Sequence, residues 1–270
     1  MIPPEPMPSI VVFLFGLLFG SFLNVCIHRL PRGQSIVRPR SACPRCASVI
    51  PAWLNVPVLS WLALRGRCAR CKAPISVRYP LVELATAFGV WGAWRAFGPQ
   101  PAFAYVAVFG MAMLVLFFTD LDLQLLPDAI TLTGFLAGMA AAWWNPFLPG
   151  EGWARVWAAL VGAALGSGIL WGLGAVYSKW RGVEAMGMGD VKMMAFVGAV
   201  VGAKGVLFTL FAASIVGAVV GVAMVPLRGR SMSDTLPFGC FLAPAALAAL
   251  LWGERLIRAY LGMFPGPPGG

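Results

Sequence analysis

Two carboxylates stand where acids are costly. Asp120 closes the apolar run Phe117-Phe118-Thr119-Asp120-Leu121-Asp122, and Asp190 follows Gly187-Met188-Gly189 at the head of another. An ionisable group in or at the end of a lipid-spanning segment is a candidate for chemistry by default. Two such carboxylates brought together share one proton, because like charges at close range resist joint ionisation. That pair can hydrolyse an amide: one carboxylate activates water, and the other, protonated, polarises the scissile carbonyl. Gly187 and Gly189 remove side-chain bulk where a substrate backbone must approach. The simpler reading makes both acids helix-end charges, with Asp190 capping its helix. Asp128, just after Pro127 at an expected helix start, fits that reading well, and Asp122 fits either.

Four thiols form a second constellation, Cys43-Pro-Arg-Cys46 and Cys68-Ala-Arg-Cys71, with 21 residues between the pairs. Each Cys-x-x-Cys knuckle offers two sulfurs from one tight turn, and two knuckles complete a tetrahedral Zn²⁺ site. Four protein ligands leave no open position, so such a zinc is structural. A redox relay and a pair of disulfides are the competing readings, both better suited to an oxidising compartment. Cys26 and Cys240 lie in or near apolar runs and read as core residues.

The elements that must hold these groups are membrane helices. The chain has 270 residues, 60% hydrophobic and 11% charged, whereas soluble domains carry about a quarter charged residues. Six charge-free stretches reach the length of a span: Pro6–Ile27, Ala96–Thr119, Ala129–Gly150, Val156–Ser178, Gly205–Leu227 and Thr235–Gly253. Two shorter ones, Leu84–Trp94 and Met193–Ala203, bring the expected count to about eight. The expected fold is therefore an all-α polytopic membrane protein with a small zinc-binding loop domain. Met1–Pro8 has no Lys or Arg before the first apolar run, so the first span is expected to remain in the mature protein.

Charge sets the expected orientation. Ten of the 20 basic residues lie between Arg29 and Arg78, a stretch without Asp or Glu. Beside apolar spans this reads as a cytoplasmic loop, placed to touch anionic lipid headgroups, and no nucleic-acid partner is expected. With the amino terminus outside, Asp120, Asp122 and Asp128 fall at a cytoplasmic turn. So do the turns with Lys179 and Arg181 and with Arg228 and Arg230. Asp120 and Asp190 then share one depth near that face. The expected organisation is a first span (1–28), a basic four-Cys loop domain (29–80), a membrane catalytic domain (81–262) and a disordered Pro/Gly tail (263–270). Small-residue runs such as Val161–Gly168 and Val216–Ala223 read as helix-packing surfaces.

The motifs together resemble the bacterial type IV prepilin peptidases, membrane aspartic proteases of the Gly-x-Gly-Asp type. Gly20-Ser-Phe-Leu-Asn-Val-Cys-Ile-His-Arg-Leu-Pro31, the paired knuckles and Arg78-Tyr-Pro-Leu-Val-Glu83 are similar to the amino-terminal half of that family. Asp120-x-Asp-x-x-Leu-Leu-Pro-Asp128 and Gly187-x-Gly-Asp190 are similar to its catalytic half. The resemblance implies that Asp120 and Asp190 are the catalytic pair. It implies cleavage of prepilin or pseudopilin leaders after a Gly, at the cytoplasmic side of the bacterial inner membrane. It further implies N-methylation of the new amino terminus with S-adenosylmethionine, for which no motif in this chain spells out a site.

The same resemblance implies a substrate with a Glu five residues into the mature chain. Lys192, two residues after Asp190, is the candidate cation to receive it, with snorkelling to headgroups as the alternative. Glu83 is a secondary site candidate, because a charge at the head of a span needs a partner; Arg78 is weighed beside it. His28 reads as a helix-end residue or, less simply, a base. A proton- or cation-coupled transporter and a zinc-bearing scaffold remain as rival functions. The first would be expected to show internal repeats, and the second leaves the Asp120/Asp190 pairing without a purpose.

Overall fold

The computed structural model describes residues 6–182, 187–228 and 237–263. The expected tail after Met263, Arg230 of the expected basic turn and the first residues of the Thr235–Gly253 stretch lie outside them. Eight α-helices follow in chain order: α1 (Pro6–Arg29), α2 (Leu59–Ala63), α3 (Arg78–Phe97), α4 (Pro101–Leu123), α5 (Asp128–Ala141), α6 (Trp153–Arg181), α7 (Met188–Arg228) and α8 (Gly239–Leu261). Among the described residues there is no strand, only two isolated bridges, Ala42 with Val49 and Arg67 with Pro74. The all-α expectation holds. The chain divides into two compact units, Met1–Met111 and Ala112–Gly270.

Among the described residues, five helices are long and apolar enough to cross a membrane: those over Met7–Arg32, Pro101–Leu123, Trp153–Arg181, Met188–Met224 and Gly239–Tyr260. The expected count of about eight is not reached by that measure, for three local reasons. Helix α3 carries Arg78, Glu83 and Arg95. The Ala129–Gly150 stretch is α-helical only as far as Ala141 and ends in a 3-10 turn over Ala142–Trp144; together these rise about 27 Å, short of a hydrocarbon core of ~30 Å. And the stretches expected to be separate spans, Met193–Ala203 and Gly205–Leu227, are two helices that meet at the non-helical Gly202 (φ 69°, ψ −178°) and are counted together as α7.

The second and third reasons are one event. Asn145 halts the helical continuation after α5, is wholly buried, and donates from Nδ2 to the carbonyl of Val200 at 2.9 Å. That carbonyl lies at the kink, where the regular ladder is interrupted. A buried backbone acceptor without a partner would be costly, and Asn145 supplies one from the preceding hairpin.

Helix boundaries follow the punctuation in the sequence. Gly98 (φ 59°) closes α3 with its N–H on Trp94 O at 2.7 Å, and Pro101 opens α4. Gly182 (φ 70°) closes α6 behind Lys179 and Arg181, cations placed on the negative end of the helix dipole. In the second unit, α6 and α7 pack backbone to backbone where Gly162 faces Gly198, with no room at either for a Cβ. The packing role expected of Val161–Gly168 is met there. The Val216–Ala223 run meets it on one face only: Gly217 lies against Phe241 of α8, whose ring stands 3.3 Å from the glycine's Cβ position, while Val216, Val219 and Val222 are half or more exposed. In the first unit, α1 lies against α3 so closely that a Cβ at Gly20 would fall 2.6 Å from Glu83 Cα.

Candidate active site and four-thiolate centre

Asp120 sits in the last turn of α4 and is 5% exposed. Its Oδ2 accepts the backbone N–H of Cys240, in the first turn of α8, at 2.8 Å. An anion at a helix amino terminus satisfies an otherwise orphaned donor and meets the positive end of the dipole. The Cys240 thiol meanwhile donates to Phe117 O at 3.3 Å. Cys26 is a buried core residue, as expected. Cys240 is buried too, but its backbone also reaches a candidate catalytic group, a contact across 120 residues that no local pattern announces.

Asp190 lies in the first turn of α7, its N–H on Gly187 O at 3.1 Å. Its Oδ1 is buried and has no hydrogen-bond partner. A capping side chain would be bonded to the helix's own N–H groups, so the simpler reading leaves this oxygen unexplained. Asp120 is near enough for its charge to act on Asp190. Leu126, in the turn between α4 and α5, lies beside both. A Cβ on Gly189 would fall 3.1 Å from Leu126 Cβ, and one on Gly239 would fall 3.2 Å from Leu126 Cδ2. Gly187 is exposed, with its Cβ position 3.9 Å from Asp190 Oδ2. The chain thus brings together two carboxylates, a wedge of apolar side chain and two glycines on the approach to Asp190.

Lys192 has a partner that neither expectation names. Its Nζ lies 2.8 Å from both carboxylate oxygens of Asp128, the first residue of α5. Asp128 is therefore both a helix-start acid and a counter-ion. Asp122 is exposed at the end of α4, and His28 is exposed in the last turn of α1. Glu83 has the partner its burial demands: Oε2 accepts the N–H of Val58 at 2.7 Å. Val58 itself holds φ 59°, ψ −50°, a conformation rare for a β-branched residue. Arg78 is the first residue of α3.

The four thiols converge. The Sγ atoms of Cys43, Cys46, Cys68 and Cys71 all lie within 4.8 Å of one another, and Cys43 and Cys71 are 3.8 Å apart. Four sulfurs at ~2.3 Å from a central zinc stand about 3.8 Å apart along a tetrahedral edge, so the donors fit that ion. The two knuckles repeat one another. Cys43 N–H bonds to Ser48 O, and Cys68 N–H to Ala73 O; Ala47 N–H bonds back to Cys43 O, and Lys72 N–H to Cys68 O. The residue after each second cysteine turns through positive φ, 54° at Ala47 and 57° at Lys72. Hydrogen bonding to Ser48 lowers the Cys46 pKa to about 6, and the backbone N–H groups of Cys71 and Arg70 lower that of Cys68. Both shifts favour the thiolate, the form that ligates metal, whereas at Cys71 the lowering by the Ala73 N–H is outweighed by desolvation and the neighbouring thiols, which push it up to about 11.

Two family models and several named proteins are similar to the chain. Residues 14–97 match the family model described as the bacterial peptidase A24 N-terminal domain. Residues 107–222 match that of the type IV leader peptidase family. A protein of Aeromonas hydrophila named prepilin leader peptidase/N-methyltransferase is 38% identical over 278 residues, covering 94% of each chain. Proteins of the same name from Pseudomonas aeruginosa and Burkholderia pseudomallei are 39% and 37% identical, covering 92% and 93% of this chain and 91% and 87% of their own. No solved structure matches significantly.

Proposed function

Because the chain belongs to the type IV leader peptidase family, we propose that it is a multi-pass membrane aspartic endopeptidase whose catalytic pair is Asp120 and Asp190. The observation that carries this reading is the buried, unbonded Asp190 Oδ1 within electrostatic reach of a second buried carboxylate. A buried carboxylate oxygen without a hydrogen-bond partner is expensive and is explained by a reaction that uses it.

In that reaction one carboxylate takes a proton from water as the water oxygen bonds to the scissile carbonyl carbon. The protonated partner gives its proton to the carbonyl oxygen. Collapse breaks the C–N bond as the first carboxyl passes its proton to the leaving nitrogen and the second takes one back from a hydroxyl of the tetrahedral intermediate, and the products are the leader's new carboxyl group and the mature chain's new amino terminus. The substrate class is the prepilin or pseudopilin leader, cut after Gly at the cytoplasmic face of the bacterial inner membrane. The apolar substrate helix lies in lipid against the spans, and the bond to be cut must be locally unwound, since a helix hides its carbonyls. The exposed Gly187 leaves room for that unwound backbone, whereas the Cβ position of Gly189 is taken up by Leu126. A Glu of the mature chain would compete with Asp128 for Lys192. N-methylation with S-adenosylmethionine enters from the relatives' names alone, and no residue is assigned to it.

The four cysteines would hold one structural Zn²⁺, whose chemistry there is to cross-link two turns of a loop that lies at the lipid headgroups. A cleavage assay on a prepilin in detergent or lipid tests the reading. Asp190→Asn should be inactive while keeping its fold, and processing at the wild-type rate by that variant would end it.

A further inference from the structure

The carboxylate of Asp120 occupies the space that a side chain at position 239 would fill. A Cβ built on Gly239 would lie 2.8 Å from Asp120 Oδ2 and 3.0 Å from its Cγ, well inside contact distance. The adjoining Cys240 N–H holds the same oxygen at 2.8 Å. Leu126 closes another side, 3.2 Å from the same Cβ position, and also abuts Gly189, the residue before Asp190. The opening of α8 is thus built into the wall of the candidate site, although none of its residues carries a charge.

We propose that Gly239 is the positioning residue for Asp120: its missing side chain lets the Asp120 carboxylate seat on the first turn of α8, facing Asp190. The proposal rests on the reading of Asp120 and Asp190 as the catalytic pair. A methyl group at 239 must displace the carboxylate, Leu126 or the start of α8. The carboxylate is the nearest of the groups to yield, and moving it alters the geometry on which proton transfer depends. A glycine needed only for packing would matter through Leu126 instead.

These alternatives separate in kinetics on a prepilin substrate. Gly239→Ala should lower kcat by about tenfold or more, from a misplacement on the order of 1 Å, with KM near wild type. The double variant Gly239→Ala/Leu126→Ala should not recover kcat beyond Leu126→Ala alone. A wild-type kcat in Gly239→Ala, or recovery in the double variant, overturns the proposal. Activity in Asp190→Asn would sink the underlying reading instead. A second measurement needs no activity. In a background with Cys26→Ala and Cys240→Ala, the pair Asp120→Cys and Gly239→Cys should form a disulfide under mild oxidation, read as a linked pair of fragments after proteolysis between the sites. The 3.0 Å from the Cβ position at 239 to Asp120 Cγ matches the roughly 3.0 Å from a Cβ to the opposite sulfur that follows from an S–S bond of ~2.04 Å. Absence of that link would overturn the proposal as well.

Discussion

The Lys192 ammonium rests on both oxygens of the Asp128 carboxylate, 2.8 Å from each. The pair joins the first turn of α7 to the first residue of α5. With the side chains 32% and 55% exposed, it contributes about 0.2–1 kcal/mol to stability, little enough for a substrate carboxylate to displace Asp128. Lys192→Met is therefore expected to cost little thermal stability. It should slow cleavage of a substrate carrying Glu at the fifth mature position more than of one carrying Gln. Asp128→Asn should be far milder than loss of Asp120 or Asp190. Equal slowing of both substrates by Lys192→Met, in a direct kinetic comparison, would show that Lys192 serves only to tie α5 to α7.

Metal content gives an independent prediction. The buried cluster of the four-Cys segment consists of Cys43, Cys68 and Ala73. Two of these three are themselves proposed ligands, so the segment has almost no apolar core to fall back on. Protein prepared without chelator should contain about one zinc per chain, by elemental analysis. Cys43→Ser should lower that content and expose the segment to protease, while Cys26→Ala should change neither. Metal-free protein with the segment fully protease-resistant would contradict a structural zinc.

Glu83 should matter for anchoring. Its carboxylate accepts the N–H of Val58, which sits at positive φ at the start of α2. That backbone strain costs on the order of 1–3 kcal/mol and persists only where the surroundings hold it. Glu83→Gln keeps an acceptor and should be tolerated. Glu83→Ala removes it and should speed proteolytic nicking around Val58 several-fold. Unchanged nicking in Glu83→Ala would show that the strained turn holds itself.

The sequence revealed the groups better than their neighbours. The knuckle spacing is local, and the cysteines converge as that spacing requires. The two acids were found by the cost of placing charge at the end of an apolar run, and they stand near one another. The break between the Met193–Ala203 and Gly205–Leu227 stretches falls where the structure has its non-helical residue, Gly202. The partner of the Val200 carbonyl beside that break, Asn145, lies 55 residues away and has no local signal. The contacts of Gly239 and Cys240 with Asp120 were equally out of reach, since a glycine in Phe238-Gly239-Cys240 looks like any helix start. The close approach of α1 to α3 left a trace that went unread: Gly16 and Gly20 stand four apart on one helix face, a small-residue spacing that lets backbones meet.

The central claim is that Asp120 and Asp190 together hydrolyse the leader bond. The most direct measurement is the initial rate of leader cleavage from a purified prepilin in lipid, for wild type, Asp120→Asn and Asp190→Asn. Zinc content and detergent-solubilised size would be checked on the same samples. The account predicts that each single substitution reduces cleavage to the background level while zinc and size stay those of wild type. Cleavage by either variant at a rate near wild type would contradict it.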